Sequence, residues 1–315
     1  MKLTIIVPCY NEAKNINVFY DRVNCVLNEI GIENEMLFVD DGSSDDTVKL
    51  LIELNEKYNN VSYITLTRNF GKEAAMLAGM RNVSEDSDYV AIMDADLQDP
   101  PELIKDMLNG FDDDNVDCVA TRRVNRKGES FFRSWFSKLF YKIINKVTEI
   151  HIPDGARDFR VMKKSMSDSI ARLPETSRFS KGLFAWVGYN TKWISYENVA
   201  RENGKSKWSF FKLFSYAIDG ILSFSTFPLV ISSFAGIVTC MISLVLIIYM
   251  ILQKLFVGIN VEGYAFMMCV ILFLGGVQLS CIGIVGAYLS KIFKETKARP
   301  VYLIKEHVSS KNNGR

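Results

Sequence analysis

The chain has 315 residues, 49% of them hydrophobic and 23% charged, with 37 Lys and Arg against 36 Asp and Glu. That length accommodates one large domain or two smaller units, and the balanced charge leaves no basic footprint for nucleic acid. The apolar content and 21 Phe exclude a disordered chain, while two His and six Cys without a CxxC spacing argue against zinc sites, His-based triads and a disulfide framework.

The first dozen residues carry one basic side chain and about five apolar ones before Pro8. That is too short for a signal peptide and reads as a first strand. β-Branched runs at 3–8, 36–40, 61–66, 89–94 and 117–121 predict five strands, and helical spacing fills 13–30, 45–58, 71–83 and 101–111. The alternation predicts an α/β domain with a mainly parallel sheet covered by helices on both faces. Asp99 is expected to cap the fourth helix, with Pro100 or Pro101 in its first turn and Glu102 at the capping-box position. Ligands of such sheets bind outside the carboxyl ends of the strands, and three polar clusters fall there: Asn11 and Glu12, 40–46, and 94–99.

Beyond the sheet, Trp135, Phe136, Leu139, Phe140, Ile143, Ile144 and Val147 share one helical face with basic residues around them. That face suits either a membrane interface or packing on the sheet. Residues 208–226 are similarly aromatic and read as a juxtamembrane amphipathic segment. The stretches 227–252 and 263–290 contain no charged residue, and each exceeds the roughly 20 residues that span a bilayer. They predict a two-helix transmembrane hairpin. Lys205, Lys207 and Lys212 precede it, Lys291, Lys294, Lys297 and Arg299 follow it, and the loop holds only Lys254. The positive-inside rule then places a catalytic domain at 1–207 and a tail at 291–315 in the cytoplasm, as parts of a multi-pass protein of the cell membrane. Small residues at Ser232, Gly236 and Cys240, and at Gly276, Ser280, Gly283 and Ala287, allow close helix packing within one chain or in a homo-oligomer.

The sharpest local signal is Asp94-Ala95-Asp96-Leu97-Gln98-Asp99 at the end of an apolar strand. Two carboxylates two positions apart, with a further oxygen ligand two positions on, suit a hard divalent cation shared with substrate phosphates, Mg2+ or Mn2+. Neither GxxxxGK[ST] nor GxGxxG occurs, which removes P-loop and dinucleotide readings.

Taken in order, IIVPCYNE (5–12), VDDGSSDDT (39–47), RNFGKEAAMLAG (68–79) and DADLQDPPE (94–102) resemble the family 2 GT-A glycosyltransferases. DGARDFRVM (154–162), SRFSKGLFAWVGY (177–189) and RENGKSKWS (201–209), followed by two terminal membrane helices, resemble the polyprenyl-phosphate branch of that family. This branch comprises dolichol-phosphate mannose synthases and bactoprenol glucosyltransferases, and the resemblance covers roughly 3–300. It implies a GT-A fold, a nucleotide-sugar donor linked to UDP or GDP, and a polyprenyl phosphate acceptor. Pro8, Tyr10, Glu12 and Asp41 would hold the nucleoside. Asp94, Ala95 and Asp96 would meet the pyrophosphate, with Asp94, Asp96 and Gln98 as metal ligands and Lys72 and Arg122 helping to bind the donor. Arg133, Ser137, Arg201 and Lys207 would meet the acceptor phosphate. Arg122, Arg123, Arg126 and Arg133 compete for the donor and acceptor roles. Asp158 has two readings, a shaper of the sugar site or an ion-paired structural carboxylate.

By the same resemblance the reaction is a direct displacement with inversion, giving a polyprenyl-phosphate sugar, glucose favoured, for modification of a cell-envelope glycan. A phosphate acceptor is already anionic near neutrality and needs little help from a base, which suits a chain with two His. A processive synthase is disfavoured because no QxxRW occurs. Transfer to a hydroxyl lipid such as diacylglycerol or ceramide would need a base and has less use for Arg201 and Lys207. An inactive membrane accessory is disfavoured by the intact Asp94, Asp96 and Gln98.

Overall fold

A computed structural model describes residues 1–125, 141–148, 150–197, 218–256 and 263–311. The chain divides into two units, Met1–Gly220 with Arg299–Arg315, and Ile221–Ala298.

In the first unit, β1 (Lys2–Cys9), β2 (Glu33–Asp40), β3 (Val61–Leu66) and β4 (Tyr89–Ile92) alternate with helices α1 (Ile16–Ile30), α2 (Thr47–Lys57) and α3 (Lys72–Arg81). After β4 come α4 (Leu103–Asn109), β5 (Cys118–Asn125), β6 (Ala156–Lys163), α5 (Lys164–Arg172), α6 (Ser180–Trp186) and β7 (Thr191–Glu197). The sheet is completed by β8 (Ile304–Val308), giving the order β7-β5-β6-β4-β1-β2-β3-β8. Pairings β1–β2, β1–β4, β2–β3 and β5–β7 are parallel; β4–β6, β5–β6 and β3–β8 are antiparallel.

Seven of the eight residues of β1 are buried, because helices cover both faces of the central strands. α1 buries Ile16, Phe19, Tyr20, Val23 and Leu27, the spacing of one helical face, and Phe19 meets Phe38 of β2 edge-on at 6.0 Å. One core layer joins α1, α2 and α4 to Ile5, Val7, Phe159 and Val161. The other joins α3, α5 and α6 to Ile6, Ile64, Ile92 and Met162. Neighbouring β6 residues therefore serve opposite layers, as the pleat requires. Residues 141–147 are helical and bury Tyr141 and Ile144, so the described part of the basic amphipathic stretch packs within the domain.

Two expectations are corrected. α4 starts at Leu103, and Asp99 does not cap it: Leu103 and Ile104 donate to the Pro100 and Pro101 carbonyls, while the Asp99 carboxylate is engaged by Arg157. The fifth strand runs past 117–121 to Asn125 because β6 pairs with it as far as Arg122 and parallel β7 as far as Asn125, and neither partner is in the strand pattern read from sequence.

Within the expected tail, β8 lies along the outer edge of β3, matching Tyr63 to Val308 and Thr65 to Glu306. Around it, Thr67 donates to the Leu303 carbonyl at 3.0 Å, Asn55 to the Ser309 carbonyl at 3.3 Å, and Arg81 lies 5.9 Å over the Tyr302 ring. Such a strap conceals a strand edge that would otherwise offer unpaired N–H and C=O groups.

The second unit holds α7 (Phe227–Phe256) and α8 (Tyr264–Thr296), each long and apolar enough to cross a membrane. They pack together where the Cys281 thiol donates to the Ser232 backbone carbonyl, and the Tyr288 hydroxyl donates to the backbone carbonyl of Ser225 just before α7. A Cβ at Gly236, Gly276 or Gly283 meets nothing within 4 Å, so these glycines do not serve the contact between the two helices.

Removing 299–315 is expected to lower the thermal midpoint of the first unit, by about 2–4 °C per kcal/mol lost, and to promote self-association through β3. Differential scanning calorimetry and light scattering of the shortened chain check this, and unchanged values on both counts would refute a sealing role for β8.

Candidate active site

The carboxyl ends of β1, β2 and β4 lie side by side because these strands are parallel neighbours, and their polar clusters form one rim. Asn11 follows β1 with φ +53°, donates its backbone N–H to the Ser43 hydroxyl at 2.8 Å, and accepts from the Ser44 N–H at 2.8 Å. The Glu12 N–H donates to the Thr47 hydroxyl at 2.9 Å. The loops after β1 and β2 are thus tied together, with Tyr10 and Glu12 on one and Asp41 on the other, while Pro8 lies near the end of β1, paired with Val39 of β2. Tyr10 is 40% exposed on the rim.

Asp41 is buried, and its oxygens accept from the backbone N–H groups of Phe70 (2.7 Å) and Gly71 (2.8 Å). Burial raises its pKa above the usual carboxylate value, and the two amides oppose that rise. The approach of the Phe70 loop requires glycine at 42. Its φ is +70°, and a Cβ there would lie 2.5 Å from the Arg68 carbonyl carbon. In this way VDDG and RNFG, separate in sequence, become one wall.

Lys72 opens α3 at the end of that wall. Its ammonium lies 2.7 Å from an Asp94 oxygen and 2.6 Å from an Asp158 oxygen. Burial opposes the charge on Lys72, but Asp158 and then Asp94 outweigh it and hold the ammonium above its ordinary range. Burial likewise raises Asp158, but Lys72 and Lys181 outweigh it and hold the carboxyl well below its ordinary range. Of the two sequence readings of Asp158, the ion pair is present.

Between Asp94 and Asp99 the side chains alternate: Ala95, Leu97 and Asp99 point inward, and Asp94, Asp96 and Gln98 are partly exposed. Leu97 holds φ +53°, unusual for a branched side chain and costing about 1–3 kcal/mol, which the surrounding contacts must offset. Asp96 accepts the Gln98 N–H at 3.2 Å. No three His, Cys, Asp or Glu side chains converge as a metal cage among the described residues. An ion shared with substrate phosphates takes one or two carboxylates and completes its shell elsewhere. The oxygen donor set of Asp94, Asp96 and Gln98 therefore fits Mg2+ or Mn2+.

Beyond the rim, Arg122 of β5 is exposed and donates to the Ser195 hydroxyl of β7 at 2.9 Å. Arg133, Ser137, Arg201 and Lys207, with Arg126, lie outside the described residues.

Two groups were not legible in the sequence. Asp99, 2% exposed, accepts from Arg157 through Nε (3.2 Å) and Nη2 (3.4 Å) and from the Tyr196 hydroxyl. Adjacent charges in ARDFR carried a signal, since neighbours on a strand face opposite ways. The second is a cavity of about 400 Å³ bounded by α6 and by β6 and β7, lined by His151, Arg160, Lys181, Phe184, Trp186 and Trp193 among others, with no carboxylate among the described lining residues. Lys181 connects it to the Asp158 carboxylate electrostatically.

An acid-rimmed cleft at the carboxyl ends of a mainly parallel sheet, with a DxD loop after its central strand, defines a GT-A glycosyltransferase. The chain matches the glycosyl transferase family 2 model over residues 4–170 and belongs to that family. It is 43% identical over 304 residues to the putative glycosyltransferase CsbB of Bacillus subtilis, covering 96% of this chain and 91% of that one. It is 38% identical over 305 residues to the bactoprenol glucosyl transferase of Shigella phage SfX, covering 97% and 99%. Among solved structures, a Mycobacterium tuberculosis glucosyl-3-phosphoglycerate synthase has a TM-score of 0.48 at 18% identity, over 70% of this chain and 76% of that one.

A carboxyl held below its unfolded value stabilises the fold fully above about pH 4, and that contribution is lost as pH falls toward the folded value. Asp158→Asn should therefore destabilise the protein by the same amount from pH 6 to pH 8, with the difference from wild type shrinking below about pH 4. Urea unfolding across that range reads it, and a difference that does not shrink in acid would exclude the ion pair as the source.

Proposed function

We propose that this glycosyltransferase moves a hexose, glucose by preference, from a nucleoside-diphosphate sugar to the phosphate of a polyprenyl lipid at a membrane surface, with inversion and with a divalent metal. The observation that carries the reading is alignment over nearly the full length, apolar helices included, with a relative named bactoprenol glucosyl transferase. The acid-rimmed cleft and the cavity lined by Lys181, His151 and Arg160 support the reading from chemistry.

In this reading Pro8, Tyr10, Glu12 and Asp41 hold the nucleoside, Arg122 assists, and Asp94, Ala95 and Asp96 face the diphosphate. Asp94, Asp96 and Gln98 would hold Mg2+ or Mn2+, which when bound supplies Lewis-acid stabilisation to the departing diphosphate. Lys72 contributes a second positive charge and is oriented by Asp158. An acceptor phosphate oxygen forms a bond to the anomeric carbon as the bond from that carbon to the diphosphate oxygen breaks, and the nucleoside diphosphate leaves with the electron pair. The attacking oxygen carries no proton near neutrality, so no general base is required. Positioning is the main catalytic task.

Lys181 and His151, with the Trp186 and Trp193 rings, suit an anionic headgroup followed by an apolar chain. Arg133, Ser137, Arg201 and Lys207 would complete the acceptor site. Both ends of the helical pair connect to the first unit, and basic residues flank it, which supports two membrane crossings with the catalytic unit on the cytoplasmic side.

Radiolabelled transfer from a panel of UDP- and GDP-sugars, in bilayers holding undecaprenyl phosphate or undecaprenol, tests the reading. Transfer is expected to the phosphate alone, and Asp96→Ala or excess EDTA should each lower it at least ~100-fold. Efficient transfer to undecaprenol would reject the phosphate acceptor, and full activity in EDTA would reject the metal.

A further inference from the structure

β6 delivers two consecutive charged residues to the two ends of one loop. Asp158 faces the α3 layer and holds Lys72, which holds Asp94 at the start of the Asp94–Asp99 loop. Arg157 faces the opposite layer and grips Asp99 at the loop's end with two N–H groups. Tyr196 of β7 donates its hydroxyl to the same Asp99 carboxylate. Burial opposes the charge on Arg157, yet Asp99 outweighs it and keeps the guanidinium firmly ionised. Between these anchors stands Leu97 at φ +53°, a conformation that persists only where the surroundings over-determine it.

We propose that Arg157 and Tyr196 are positioning residues for the diphosphate-binding loop. Through Asp99 they hold Asp96 and Gln98 in the arrangement that a metal-bound diphosphate requires. The proposal rests on the metal reading given above and adds to it the groups that tune the site from behind. Each contacts the loop through Asp99. Both act through a carboxylate whose place in sequence suggests a helix cap and whose contacts are those of a loop anchor. A buried ion pair serving only stability would be indifferent to what binds at Asp96; an anchor of this kind is not. Groups one shell behind a metal site characteristically change metal affinity by about 10- to 100-fold when removed.

The variants Tyr196→Phe and Arg157→Lys keep the ring and the charge respectively, and remove the hydroxyl donor or the two-pronged grip. They are made in the full chain in detergent, with Asp99→Asn as a third. Binding of Mn2+ is followed by loss of the free-ion EPR signal in the presence of UDP or GDP, and nucleotide binding by calorimetry with and without Mn2+. Thermal midpoints are recorded in parallel. Expected is a fall of about tenfold or more in Mn2+ affinity with nucleotide present, with metal-free nucleotide affinity within about twofold of wild type. The fall should appear in Tyr196→Phe even where its thermal midpoint is unchanged. Wild-type Mn2+ affinity in all three variants would overturn the proposal, as would a loss of metal-free nucleotide binding that tracks lowered thermal midpoints. A wild type that binds neither nucleotide more tightly with Mn2+ would overturn the metal reading, and the anchoring proposal with it.

Discussion

The ammonium of Lys72 sits between two carboxylates that come from distant parts of the chain, and most of the site's geometry depends on it. Asp94 follows a parallel strand, Asp158 belongs to an antiparallel strand, and Lys72 begins a helix on one face of the sheet. Two carboxylates this close would repel each other and raise one pKa without a cation between them. Lys72 outweighs the burial of Asp158 and holds its carboxyl below the ordinary range. The same contact fixes where α3 starts, which in turn sets the Phe70 and Gly71 amides against Asp41.

Around that contact the site is built by backbone as much as by side chains. Asp41 is held by two amides, and Asn11 and Glu12 are tied to the loop after β2. Glycine at 155, with φ +79°, lets the loop before β6 pass against the Arg123 carbonyl, where a side chain would collide. That passage brings Arg157 and Asp158 into register with the end of β4, since Ile92 pairs with Arg160. The residues on the rim are therefore few, and the groups that hold them are spread across the first unit.

Much of this was legible in the sequence, for reasons that are physical. The parallel core announced itself through short β-branched runs separated by helical spacing, and the rim through acidic clusters at strand ends. The apolar helices were legible because no charged residue falls within 227–252 or 263–290. Antiparallel β6 was not, because ARDFRVMK carries charges that a strand buried on both faces should not tolerate. Arg160 is 2% exposed and is accommodated by the Phe184 ring at 3.5 Å and by backbone carbonyls. The role of Asp99 was misread for a related reason. Local sequence offers it a helix to cap, whereas its partners lie 58 and 97 positions away. β8 was missed because IKEHV is short and mostly exposed, with only the partner edge to define it.

The position of β8 in the chain has a consequence for biosynthesis. Residues 61–66 leave the ribosome early, but the strand that covers their edge follows both long apolar helices. At roughly 5–20 residues per second, the edge stays open on the order of ten seconds or more after β3 is made. During that interval the nascent catalytic domain carries an unpaired strand, and the two helices are emerging into whatever receives them. Completion of the sheet comes last, so the fold of the first unit is finished only after the apolar pair has been synthesised.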